Sequence, residues 1–116
     1  MDEKELMTEI ENLSEPEASI WRNMSDAHKG ELITLRHKLE GNIYFGKSKP
    51  PIDLAFLIVL NSQYPISHIR ERVNRAYLWL VANPERAKKN YRRFLLNFMN
   101  DNKPQFIYQR IDSADQ

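Results

Sequence analysis

Apolar residues recur along this chain at intervals of three and four rather than two, and that period predicts helices from end to end. Leu6, Ile10 and Leu13 keep helical spacing inside an otherwise acidic stretch. Ser14-x-x-Glu17 is a capping-box pattern, in which serine and glutamate each take a backbone N–H the helix end leaves over. It opens a short helix carrying Ile20, Trp21 and Met24. Ser25 can cap a third helix, with Leu32, Leu35 and Leu39 inward and Gly41 as its stop. Residues 41–51 hold two glycines and two prolines and read as a loop whose Ile43, Tyr44 and Phe45 tuck onto the core.

The unbroken apolar run 54–60 follows, with Pro51 suited to the first turn of a helix. Ile58 and Val59 keep a strand open there, but no second strand candidate exists to pair with it, so a helix is expected. Tyr64-Pro65 ends this element and Ser67 opens the next. Ile69, Val73, Ala76, Tyr77 and Leu80 make one stripe; Ala87, Tyr91, Phe94, Leu95 and Phe98 make a second. Between them Asn83 suits an N-cap, Pro84 a first helical residue and Glu85 the positive helix end. The expected fold is therefore all-α: a small helical bundle ending in an antiparallel helical hairpin. Residues 1–104 read as one domain, in which the acidic helix over 2–13 could move. Asn100, Asp101, Asn102 and Pro104 stop the last helix, and 105–116 form a tail with one apolar knot, Phe106, Ile107 and Tyr108.

Composition narrows the chemistry. A length of 116 residues suits one domain, and three glycines argue against a turn-rich β fold. The absence of cysteine excludes disulfides, thiolate metal sites and a cysteine nucleophile. The start, Met1-Asp2-Glu3-Lys4-Glu5, is acidic where a signal peptide would be basic. The run 54–60 is far short of the ~20 residues that span a bilayer. A cytoplasmic protein with no membrane partner is expected. The net charge of +1 hides an asymmetry: residues 1–20 carry seven carboxylates against one lysine, and residues 68–93 carry eight arginines and lysines against two glutamates. The two regions can pair with each other or face different partners.

Residues 41–48 match the pattern G-x-x-x-x-G-K-[ST], with Gly41, Gly46, Lys47 and Ser48 in the fixed places. A phosphate-cradling loop of that kind needs a buried strand before it and a helix beginning at the lysine. Here the preceding residues 36–40 are charged, and Pro50 and Pro51 obstruct a helix begun at Lys47. Nucleotide hydrolysis is set aside on that context. His28, His37 and His68 lie at no metal-ligand spacing, so no metal, cofactor or catalytic residue is expected, and the chain reads as a binding module rather than an enzyme.

The basic faces are the candidate site. His68, Arg72, Arg75 and Trp79 fall at i, i+4, i+7 and i+11, where cations beside an indole can grip phosphates while the ring stacks on a base. On the next helix Arg86, Lys89 and Arg93 should lie opposite the apolar stripe. The plainer reading of both is a solvated charged face with Trp79 partly in the core, and an acidic protein partner is a third.

From Trp79 to Phe98 the chain reads Trp-Leu-Val-Ala-Asn-Pro-Glu-Arg-Ala-Lys-Lys-Asn-Tyr-Arg-Arg-Phe-Leu-Leu-Asn-Phe. This resembles a segment near the C-termini of phage and prophage replication proteins of the replisome-organiser and helicase-loader type. The matching features are Trp79-Leu80, Ala82-Asn83-Pro84, Lys88-Lys89, Tyr91, Arg93-Phe94-Leu95 and Asn97; tryptophan is usual in that family where this chain has Phe98. The resemblance covers about a sixth of the chain and implies a setting, phage or mobile-element DNA replication in a bacterial host cytoplasm. Its implied partners are single-stranded DNA, a replicative helicase or both. The competing expectation is a non-enzymatic adaptor or inhibitor that binds protein alone.

Overall fold

Five of the six described α-helices begin where the sequence supplies a side-chain oxygen for their first N–H groups. The computed structural model describes residues 2–100, in the order α1 (Glu3–Glu11), α2 (Glu15–Arg22), α3 (Asp26–Glu40), α4 (Leu54–Gln63), α5 (Ile66–Ala82) and α6 (Tyr91–Met99). Short 3-10 turns occur at Phe45–Lys47 and Pro84–Arg86, and no strand is present among the described residues. The domain end expected at 104 and the tail 105–116 with Phe106, Ile107 and Tyr108 lie outside the described residues.

Asp2, Ser14, Ser25, Asp53 and Asn90 each cap a helix through the side chain. Both bonds of the Ser14–Glu17 box are made. Three expected starts shift. Asp53 rather than Pro51 defines the beginning of α4, its carboxylate accepting the Phe56 N–H. Pro65 occupies the N-cap of α5, so Ser67 lies inside its first turn. The third shift, at α6, changes the candidate site and is described with it.

The run at 54–60 forms α4, apolar on nearly all sides and packed against α1, α2, α3 and α5, as expected of a helix buried by its neighbours. Leu54, Leu57 and Ile58 are fully buried in one cluster with Leu32, Ile69 and Leu95. From the loop, Phe45 joins this core, Tyr44 packs at its edge and Ile43 stays exposed, contrary to expectation.

The acidic N-terminal helix is fixed to the bundle. The Glu9 carboxylate accepts from Arg36 Nε at 3.1 Å and Nη2 at 2.7 Å, and from the Leu54 backbone N–H at 2.9 Å. One side chain on α1 thereby holds α3 and the first turn of α4. Arg36 stands on the buried stripe of α3 at Leu32, Leu35, Arg36 and Leu39, where an unpaired guanidinium would be costly.

The 41–48 motif has structural work of a different kind. A helix, α3, precedes it, and Lys47 ends a 3-10 turn after which Ser48 is extended. Ser48 is buried; its hydroxyl donates to the Pro50 carbonyl and accepts the Tyr91 N–H at 2.9 Å. Gly46 lies against the end of α3: a Cβ there would overlap the Glu40 carbonyl oxygen and sit 3.1 Å from its carbon. The segment lacks strand–loop–helix geometry and instead ties α3 to α6. Gly46→Ala should therefore destabilise by about 2 kcal/mol, because helix backbone cannot give way as a side chain can. Lys47→Ala, at an exposed position, should stay within about 0.5 kcal/mol. Urea unfolding of the two variants checks this; a costlier lysine change would reverse the assignment.

Candidate functional site

α5 and α6 run antiparallel. His68 near the start of α5 donates from Nε2 to the Met99 carbonyl at the end of α6, while Trp79 near the end of α5 meets Phe94, ring centroids 5.7 Å apart. α6 therefore covers the side of α5 that carries His68, Arg72 and Trp79. The stripe expected to grip phosphates is mostly interface: Arg72 is 6% exposed, its guanidinium 3.3 Å from the Glu71 carboxylate, and Trp79 is 8% exposed. Arg75 stays half-buried and pairs with Glu71 at 2.8 Å.

The connection between the helices corrects the expected start of α6. Asn83 is the C-cap of α5, its side-chain amide donating back to the Trp79 carbonyl. Pro84–Arg86 makes one 3-10 turn, after which Ala87 turns extended (φ −58°, ψ 146°). α6 begins only at Tyr91, with Asn90 Oδ1 accepting from Arg92 and Arg93 N–H. Ala87, expected in the apolar stripe, is exposed. Tyr91 fixes the junction: its N–H goes to Ser48, its hydroxyl accepts the Lys88 N–H at 2.8 Å, and its ring meets Phe45 and Phe94 edge-on. Lys49 N–H donates to the Lys89 carbonyl, and Arg92 bonds the Pro51 carbonyl and pairs with Asp53 at 3.2 Å.

This arrangement leaves an open groove of about 430 Å³ at the end of the hairpin. Trp79, Phe94 and Phe98 line it as a tilted aromatic set, Phe94 being the partly exposed ring. Arg86, Lys88 and Arg93 bring positive charge to it, and Asn90 and Asn97 complete the lining. Of the six residues expected from the sequence, Trp79, Arg86 and Arg93 meet here; Lys89 is exposed nearby without lining the groove, and Arg72 and Arg75 stand apart. Lys88, Phe94, Asn97 and Phe98 line the groove outside the expected set: a helix begun at Pro84 gives Lys88 the wrong phase, and Phe94 and Phe98 read as core stripe.

The described arginines, together with Lys88 and Lys89 of the basic half, divide into two sets. Arg22, Arg36, Arg70, Arg72, Arg75 and Arg92 all have carboxylate partners. Arg86, Lys88, Lys89 and Arg93 have none among the described residues, and Glu85 is the only acid in the segment 84–93. The uncompensated positive charge of the basic half is thus gathered at one end of the hairpin. Among the described residues there is no group of three His, Asp or Glu placed to hold a metal. No helix among them is long and apolar enough to cross a membrane. The class defined by fold and site is an all-helical domain with a basic, aromatic-lined groove. Comparison with protein-family models, curated proteins and solved structures gave no match.

Proposed function

We propose that this chain is a non-enzymatic accessory of phage or mobile-element DNA replication, and that the α5–α6 end binds single-stranded DNA, alone or alongside a replicative helicase. The observation that carries this reading is the gathering of four cations without carboxylate partners, Arg86, Lys88, Lys89 and Arg93, around a groove lined by aromatic rings. Fixed cations recover free energy by releasing the counterions condensed on a polyanion, and rings give unstacked bases a surface. The segment that resembles phage replication proteins, 79–98, is the one that lines the groove.

Binding of a labelled oligothymidylate at several salt concentrations tests the reading. Three or four phosphate contacts give a slope of log affinity against log salt of roughly −2 to −3, at about −0.7 per contact on single strands. Reversing Arg86 and Arg93 to glutamate should flatten that slope by about 1.4. Arg75→Glu, at a residue already paired with Glu71, should change it much less. No binding even at low salt would remove DNA as a direct partner. The adaptor reading would then take over, and one observation favours it: Leu78 and Val81, on the side of α5 away from α6, are 51% and 50% exposed.

A further inference from the structure

We infer that the groove holds a single unstacked base of the bound strand, laid against Phe94, while the cations grip the phosphates on either side; this rests on the single-strand reading above. The groove is about 430 Å³, within the size range of small-ligand sites. A ring can enter a space lined by Trp79, Phe94 and Phe98, whereas a duplex offers no base free to enter it. Phe94 is the partly exposed member of the aromatic set, held edge-on by the buried Tyr91 and tilted against Trp79 and Phe98. Its face is therefore positioned before any ligand arrives.

The polar groups are arranged for a nucleotide rather than for a phosphate alone. Arg93 stands on α6 one residue before Phe94, and Arg86 and Lys88 come from the connection before α6, so two separate segments bring positive charge to the groove that Phe94 lines. Asn97, one turn after Arg93, is exposed and lines the groove, and its side chain makes no hydrogen bond among the described residues. A free carboxamide offers a donor beside an acceptor. Every base carries such a pair on its Watson–Crick edge, so the contact discriminates base from no base and tolerates sequence.

The test varies the ligand and leaves the protein intact. A short oligothymidylate is compared with an oligonucleotide of the same length and charge in which the sugars carry no bases. Stacking one base should make the oligothymidylate bind about tenfold more tightly, with the same salt slope for both. Equal affinities would overturn the inference and leave the single-strand reading standing. Absence of binding by either would remove both. Phe94→Leu keeps apolar bulk and removes the ring, so the tenfold preference should fall towards unity while the slope persists. Asn97→Ala, at an exposed position, gives a second test if the leucine variant does not fold: its preference should shrink severalfold. A preference unchanged in both variants would place base contact elsewhere and overturn the assignment to this groove.

Discussion

Trp79→Ala is expected to cost about 3–5 kcal/mol, even though the same residue lines the candidate groove. Its ring is 8% exposed and lies between α5 and α6, against Phe94. Alanine would remove that contact and leave a void where two helices meet. The indole Nε1 is buried and makes no hydrogen bond among the described residues, so that N–H contributes nothing that phenylalanine would lose. Trp79→Phe should accordingly cost only about 1 kcal/mol, the difference in buried ring volume. Urea unfolding followed by circular dichroism separates the two. A phenylalanine variant as unstable as the alanine one would mean that the N–H has a partner after all.

Glu9→Ala is expected to cost about 3 kcal/mol. Removing this carboxylate strands the guanidinium of Arg36, whose side chain is 9% exposed, and takes away the oxygen that accepts the Leu54 N–H. The figure sits at the low end for a broken buried pair because Glu9 keeps 21% of its side chain in water. In a domain of this size that loss lowers the midpoint of thermal unfolding by on the order of 15 °C. The double change Glu9→Leu with Arg36→Met should recover most of it, since no charge is then left buried without a partner. A double variant as unstable as Glu9→Ala would show that the cost lies in the shape of the α1–α3 contact.

What could be read in the sequence follows the range of the interactions involved. The Ser14–Glu17 box and the Ser25 cap are settled within four residues, and both formed as expected. The 54–60 run needed only a choice between strand and helix, and the lack of any partner strand decided it. The start of α6 depended on distant residues. Asn83-Pro84-Glu85 and Asn90 are both good local beginnings, and the competition is decided by Tyr91, whose N–H and ring are held by Ser48 and Phe45 some forty residues earlier. That choice resets the phase of the cations between 86 and 89, so Lys89 misses the groove, whereas Arg72 is buried in the α5–α6 contact and Arg75 pairs with Glu71 on α5. The buried role of Arg36 left a trace in the sequence, a charge on an apolar stripe at Leu32, Leu35 and Leu39; its partner Glu9 left none.

The central claim, that the basic end of the hairpin is the binding face, is tested most directly by titrating isotope-labelled protein with oligothymidylate and following backbone amide resonances. The expected result is a set of shifts concentrated at residues 86–97, with the amides of α1 and α2 unmoved. Shifts centred on Leu78, Val81 and Ile43 instead, or none at low salt, would contradict it.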